Sequence, residues 1–151
     1  MKLKSVWSEK MRFIADVDSH CFPMDAKPPI GEDTAITPKQ MLVAAICGCT
    51  GMDVVALLKN KYHQALSKFE IEAEASLTEG AHPIVFKEVQ LVFKIEGALE
   101  KEKVLEAITL SQTKYCSVSA MLSKSFPIHY IVQLNSENIG VGSAQFQKGE
   151  L

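Results

Sequence analysis

The chain has 151 residues and a mass of 16.6 kDa, a size that predicts one domain with its own hydrophobic core. Hydrophobic residues make up 47% and charged residues 23%, which excludes a disordered or collagen-like chain. The net charge of -2 leaves no broad cationic surface for a phosphate backbone, so we expect no nucleic-acid partner.

The N-terminal part of the chain alternates in the manner of short strands. We predict strands over Leu3 to Trp7 and Arg12 to Val17, and a third near Cys21 to Met24. The first residues include Lys2 and Lys4 and lack a continuous apolar stretch, so they do not resemble a signal peptide. A core of this size needs no cross-links, which predicts a cytoplasmic protein with reduced cysteines.

An extended loop leads to a long apolar helix. Thr37, Pro38 and Gln40 form the pattern of a capping box at its start. From Met41 to Leu58 the only charge is Asp53, so the helix has no wholly polar face and must be buried almost all round. A chain this small has few elements left to cover the far side of the helix, so we expect a second copy of the chain to bury it, which predicts a homodimer.

The same helix has the length of a membrane span. Asp53 lies in the middle of the span, two glycines interrupt it, and amphipathic strands follow directly. We therefore expect no membrane partner.

The second half of the chain predicts a hairpin, two helices and a last strand, which makes the fold class α+β. Strict alternation predicts the hairpin, and apolar stripes with a capping serine predict the helices. In chain order these elements are the strands Phe69 to Leu77 and Val89 to Ile95, the helices Glu100 to Lys114 and Ser117 to Ser123, and the strand Ile128 to Leu134. Residues 135–151 include Gly140 and Gly142 and have few apolar residues, so we predict a single domain over residues 1–134 and a mobile tail over 135–151.

Four cysteines, at positions 21, 47, 49 and 116, are the candidates for chemistry. Cys47 and Cys49 lie two residues apart on the helix, about 200° around its axis, so they cannot share a metal or a local disulfide. The histidines are scattered and zinc-ligand spacing is lacking, so we expect no metal. Cys47 is predicted to be a small core residue.

The other cysteines have open alternatives. Asp53 lies one turn after Cys49 on the same face, and a bare carboxylate raises a thiol pKa, so a reactive Cys49 would need a cation nearby. Arg12 is the only arginine; it supplies either a guanidinium fork for a thiolate or a surface side chain at a strand end. Cys116 lies at a helix break, either as a thiolate stabilised by free amides or as a buried loop cysteine.

Two segments resemble the cysteine motifs of the OsmC/Ohr family. They are Gly31 to Val55, with its Ala-Ala-Ile-Cys-Gly-Cys run, and Lys114-Tyr115-Cys116-Ser117-Val118. The resemblance implies antiparallel sheets wrapped around long central helices in an intertwined homodimer. It also implies a thiol-dependent peroxidase of organic hydroperoxides, in which Cys49 matches the attacking cysteine, Cys116 the resolving cysteine and Arg12 the arginine on the thiolate.

The implied chemistry passes through a Cys49 sulfenic acid and a Cys49–Cys116 disulfide. An external dithiol then reduces the disulfide, and no cofactor is needed. Lys39 stands where the family's hydroperoxide reductases carry a glutamate, and Ser117 where proline is common, which fits a less characterised branch. The alternative function is a binding or redox-sensing module for an apolar small molecule without efficient peroxidase turnover, and a third interpretation is a dimer with inert thiols.

Overall fold

The computed structural model describes residues 1–146. The chain divides into two compact units, of which the first is Met1–Ala44 and the second begins at Ala45. The single domain over residues 1–134 stays a prediction.

The first unit contains a three-stranded antiparallel sheet of β1 (Lys4–Glu9), β2 (Arg12–Val17) and β3 (His20–Met24), in that order. These are the three strands that the alternation predicts. Between β2 and β3, Asp18 and Ser19 both have positive φ, as a two-residue hairpin turn requires to match the twist of its strands.

A loop built around Asp25 follows β3. Its buried carboxylate accepts hydrogen bonds from the backbone N–H groups of Ala26 (2.7 Å), Glu32 (3.3 Å) and Thr34 (3.0 Å), and from the Thr34 hydroxyl (2.8 Å). These bonds, with the Thr34 N–H foremost, hold the pKa of Asp25 below its ordinary value. At Gly31 a Cβ would lie 2.0 Å from the Ala26 carbonyl oxygen, so only glycine fits.

Helix α1 runs over Pro38–Ala56 and continues in a π-helical turn over Leu57–Lys61. The predicted capping box is confirmed, because the Thr37 N–H donates to Gln40 Oε1 (2.8 Å) and the Gln40 N–H donates to Thr37 Oγ1 (3.3 Å). By length and composition, Pro38–Lys61 could also cross a membrane, a property that core helices of soluble proteins share.

One chain buries only one stripe of α1, formed by residues spaced four apart: Ile46, Thr50, Val54 and Leu58. The opposite side stays open, and Met52 is 75% exposed. Burial almost all round is therefore not reached within a single chain, as expected if something else covers the helix.

The second unit contains a four-stranded sheet in the order β4 (Ala65–Leu77), β5 (Phe86–Ala98), β6 (Ile128–Leu134) and β7 (Glu137–Ser143). The predicted antiparallel hairpin of β4 and β5 is confirmed. However, β5 and β6 are parallel, so the expectation of purely antiparallel sheets is wrong for this pair. The chain crosses between them through helices, and such a connection permits parallel pairing.

Helix α2 (Lys101–Leu110), a π-helical turn (Ser111–Tyr115) and helix α3 (Ser117–Leu122) form this crossover. The core lies between the sheet and the buried stripes of α1 and α2. Its fully buried aliphatic and aromatic members include Val54, Leu58, Leu91, Phe93, Val104, Ile108 and Val132.

Strand β7 corrects the prediction of a mobile tail from residue 135. It pairs with β6 along its length, and its two glycines are sites of close packing. A Cβ at Gly142 would lie 2.4 Å from the Tyr130 hydroxyl oxygen, and one at Gly140 would lie 2.6 Å from Leu105 Cδ2. The remainder of the predicted tail, residues 147–151, lies outside the described residues.

Candidate functional site

The second unit brings two of the predicted site residues together. The sulfurs of Cys49 and Cys116 and one carboxylate oxygen of Asp53 all lie within 4.8 Å of one another. Cys49 and Asp53 are one turn apart on α1, and Cys116 lies between the π-helical turn and α3. The two thiols are 67 residues apart in the sequence, and the packing of α1 against the crossover brings them together.

The two thiols differ in their surroundings. Cys49 is half-buried, whereas Cys116 is fully buried. The Cys49 sulfur lies 4.0 Å from the Ser117 hydroxyl oxygen, so Ser117 contacts the more accessible thiol. A molecule from solvent can therefore reach Cys49, whereas Cys116 is shielded from solvent.

Cys116 is the N-cap of α3, and its sulfur accepts a hydrogen bond from the Ser119 N–H at 3.4 Å. This contact and the Ser119 side chain act to lower the pKa of Cys116, but burial outweighs them and raises it to about 11. The nearby Cys49 contributes to this rise. Of the two alternatives for Cys116, the structure favours the buried neutral thiol over the thiolate stabilised by a helix N-terminus.

Asp53 is half-buried, and its Oδ2 accepts a hydrogen bond from the Ser111 hydroxyl at 3.1 Å. Burial raises the pKa of Asp53, and the bond from Ser111 lowers it in part. Beside the carboxylate, an open pocket of about 500 Å³ is lined by Asp53, Ala56, Leu57, Asn60, Lys61 and Tyr115.

A buried hydrogen-bond chain supports Asp53 from behind. Gln112 Nε2 donates to Thr50 Oγ1 (2.7 Å), and Thr50 Oγ1 lies 2.8 Å from Ser111 Oγ. All three of these residues are fully buried. Sequence patterns did not indicate these residues. Their polarity was nevertheless a signal, because Thr50 is flanked by Ile46 and Val54 on the core side of α1.

The remaining candidates lie elsewhere. Cys47 is half-buried and packs against the hydrophobic core, as predicted, and it also lines an open groove. Lys39 is exposed in the first turn of α1. Arg12 begins β2 in the first unit, opposite Glu9, and its Nε is buried without a hydrogen-bond partner among residues 1–146. Its match to the family's arginine stays a prediction.

The three clustered atoms are of types that also bind metals. A structural zinc site uses four protein ligands, whereas within the described part of the chain this cluster supplies three, namely Cys49, Asp53 and Cys116. The same two thiols can undergo redox chemistry without a metal. The absence of metal and cofactor stays a prediction.

The fold and the site together define a class: an α+β protein with two free thiols set between a central helix and a helical crossover. The sequence profile of the family described as OsmC-like protein matches residues 31–130. Protein YhfA of Escherichia coli (strain K12) is 33% identical over 130 residues, which cover 85% of this chain and 93% of that protein. The chain belongs to the OsmC-like family.

Solved structures agree with this assignment. A hypothetical protein from Aquifex aeolicus VF5 superposes with a TM-score of 0.79 at 25% identity, covering 89% of this chain and 95% of that one. The organic hydroperoxide resistance protein OhrB of Bacillus subtilis superposes with a TM-score of 0.61 at 18% identity, covering 89% and 96%. The predicted α+β fold of the OsmC/Ohr type is thereby confirmed.

Proposed function

We propose that the protein is a thiol-dependent peroxidase that reduces organic hydroperoxides. The observation that carries this proposal is the approach of the Cys49 and Cys116 sulfurs to within 4.8 Å, with only Cys49 reachable from solvent. A disulfide needs its sulfurs about 2.0 Å apart, so a modest movement of the two side chains closes the gap. Structures related in fold include proteins named for organic hydroperoxide resistance.

In the first step the Cys49 thiolate attacks the terminal oxygen of the hydroperoxide. The O–O bond breaks, the sulfur is oxidised to a sulfenic acid, and the alkoxide leaves and takes a proton to become an alcohol. In the second step the Cys116 sulfur attacks Cys49, the S–O bond breaks and water leaves. A dithiol of the dihydrolipoyl type then reduces the disulfide, and a reducing cytoplasm suits such a cycle.

We assign to Arg12 the binding of the Cys49 thiolate. Its support is the family match, its status as the only arginine, and a buried Nε that lacks a hydrogen-bond partner among the described residues. A guanidinium holds an anion with two donors in a fixed fork, which lysine cannot reproduce. Arg12→Lys should therefore slow oxidation of Cys49 while leaving the fold intact by circular dichroism.

The peroxidase is proposed to act as an intertwined homodimer. The support is the uncovered side of α1, where an open groove of about 640 Å³ is lined by Cys47, Gly48, Gly51, Met52, Val55, Ala56, Lys59, Asn60, Phe69 and Ile71. Exposed apolar residues that lie together on one helix face commonly mark an interaction surface. In sedimentation equilibrium, Met52→Lys should convert a dimer to a monomer, whereas Val141→Lys, at another exposed apolar residue, should not.

The same groove supports the second candidate, a module that binds an apolar small molecule without efficient turnover. A ligand in the groove would contact Cys47, Phe69 and Ile71. Native mass spectrometry separates the candidates, because a ligand adds a small mass to one chain whereas self-association doubles the mass.

Stopped-flow consumption of cumene hydroperoxide and of hydrogen peroxide by the reduced protein tests the peroxidase. Wild type should consume the organic peroxide rapidly, Cys49→Ser should not, and Cys21→Ser, at an exposed thiol of the first unit, should match wild type. Consumption no faster than that of a free thiol in solution would refute the proposal.

A further inference from the structure

Asp53 occupies a position that the two-cysteine scheme leaves unused. Its carboxylate lies within 4.8 Å of both sulfurs, one turn along α1 from Cys49. A carboxylate cannot supply the positive charge that activates a thiol as a nucleophile. The position of Asp53 beside both sulfurs is therefore not explained by activation of Cys49.

In the hydrogen-bond chain behind Asp53, each group donates to the next, from Gln112 towards the carboxylate. The Gln112 amide donates to Thr50, so the single hydroxyl hydrogen of Thr50 is free to point to Ser111. The hydroxyl of Ser111 in turn donates to Asp53 Oδ2. Three fully buried residues thus orient the carboxylate as an acceptor, and an ionised carboxylate retains further acceptor capacity on its two oxygens.

The resolving step is the one that lacks a proton acceptor. Cys116 is fully buried, and a thiol with a pKa of about 11 is ionised to only about one part in ten thousand at neutral pH. Its proton must therefore leave as its sulfur attacks. The titratable groups around Asp53 are Cys49 and Cys116 themselves, with Tyr115 and Lys61 on the rim of the adjoining pocket; the Lys61 amine is paired with Glu106.

We propose that Asp53 is the base of the resolving step, an inference that rests on the peroxidase function proposed above. The carboxylate takes the proton of the Cys116 thiol as that sulfur attacks the Cys49 sulfenic sulfur. The S–S bond forms, the S–O bond breaks, and the departing hydroxide takes the proton from Asp53 to leave as water. Both sulfurs end in the disulfide, and no further oxidant or reductant enters this step.

The burial that raises the pKa of Asp53 strengthens it as a base, since a carboxylate that holds its proton more tightly accepts one more readily. The Ser111 bond keeps the ionised form populated before the step. These two influences suit a group that must accept a proton and then release it.

The test separates the two steps of the first turnover. Reduced wild type, Asp53→Asn, Asp53→Glu and the matched control Asp16→Asn are mixed with one equivalent of cumene hydroperoxide. Samples are quenched with dimedone, which traps sulfenic acid, and the sulfenic and disulfide forms are counted by intact mass spectrometry. Asp16 accepts a hydrogen bond from the Cys21 thiol at 3.0 Å, so its variant removes a carboxylate beside a thiol outside the site.

Asp53→Asn should oxidise Cys49 at least as fast as wild type, because the carboxylate does not activate that thiol, yet form the disulfide roughly a hundredfold more slowly, the usual contribution of a positioned base. Sulfenic acid should accumulate. Asp53→Glu should recover part of the disulfide rate, and Asp16→Asn should match wild type.

Disulfide formation by Asp53→Asn at the wild-type rate would overturn this inference and leave the peroxidase standing. Equal slowing of both steps would also overturn it, since that indicates general disturbance of the site. If wild type itself forms no sulfenic acid, the peroxidase proposal fails first, and the inference fails with it. Ser111→Ala provides a milder variant, expected to slow the disulfide step alone by a few-fold.

Discussion

Two cysteine–aspartate pairs lie within residues 1–146, and they differ in geometry, burial and neighbours. In the first unit, Cys21 on β3 and Asp16 on β2 are exposed cross-strand partners, and the thiol donates to the carboxylate at 3.0 Å. In the second unit, Cys49 and Asp53 are one helical turn apart, half-buried, and accompanied by the buried thiol of Cys116.

The difference identifies the features on which the proposed reactivity of Cys49 rests. The bond from Cys21 to Asp16 raises the pKa of Cys21, so the proton stays on that sulfur, and among the described residues no second thiol joins this pair. At Cys49 the carboxylate of Asp53 accepts a hydrogen bond from the buried Ser111, and the Cys116 sulfur lies within 4.8 Å. The proposed reactivity therefore depends on Ser111 and Cys116 as well as on the thiol and the carboxylate.

Removing Cys116 should reduce the second pair to the condition of the first, and this is the largest effect expected. Cys116→Ser should still react once with cumene hydroperoxide but form no intramolecular disulfide, so its sulfenic acid should over-oxidise. Turnover with a dithiol should fall at least roughly tenfold. Unchanged turnover, followed by the dithiol-dependent peroxide assay, would mean that Cys116 does not resolve.

The pH dependence of stability reports the burial of Cys116. Because its pKa in the folded protein is raised from 9.0 to about 11, its contribution to stability is complete below about pH 9 and is lost as the pH rises towards 11. Urea unfolding between pH 8 and pH 11 should therefore show a steeper loss for wild type than for Cys116→Ala. Parallel curves would contradict the buried neutral thiol.

The buried hydrogen-bond chain behind Asp53 can be broken by a substitution that keeps the shape of the side chain. Thr50→Val removes one hydroxyl and leaves the Gln112 amide and the Ser111 hydroxyl each short of a partner, which should lower the free energy of unfolding by about 1–3 kcal/mol. Thr113→Val is the matched control, because its exposed hydroxyl donates to the Thr109 carbonyl, at 2.8 Å, and takes no part in the buried chain behind Asp53. It should cost less than about 0.5 kcal/mol, as measured by urea denaturation.

The smallest effect is expected at the exposed pair. Asp16→Asn should lower the pKa of Cys21 towards its ordinary value, because the carboxylate bond that raises it is lost. Alkylation of Cys21 by iodoacetamide near pH 8 should accelerate a few-fold, followed by peptide mass spectrometry. No change would show that this bond is not maintained in solution.

Local patterns predicted most of the elements because their causes are local. The capping box at Thr37 and the alternation of β4 and β5 depend on residues a few positions apart. Strand β7 was not predicted because Gly140 and Gly142 interrupt the alternation of apolar side chains that indicates a strand. Glycine occupies these positions because Leu105 and Tyr130 pack closely against the backbone there. The parallel pairing of β5 and β6 likewise depends on where the crossover helices pack.

The site was predictable in part for the same reason. The periodicity of α1 places Asp53 beside Cys49, whereas the approach of Cys116 came only from family resemblance, since it requires packing across 67 residues. The support from Ser111 and Gln112 follows from the π-helical turn at the end of α2, a departure from regular helix that spacing does not reveal. The sequence left Cys116 open between a thiolate stabilised by free amides and a buried loop cysteine, because spacing does not show how deeply a residue is buried.

A disulfide map after oxidation tests the central claim most directly. The reduced protein is treated with one equivalent of cumene hydroperoxide, its remaining thiols are alkylated, and its peptides are sequenced by mass spectrometry. We predict one disulfide, between Cys49 and Cys116, with Cys21 and Cys47 alkylated. Alkylation of all four cysteines, or oxidation spread evenly over Cys21 and Cys49, would contradict it.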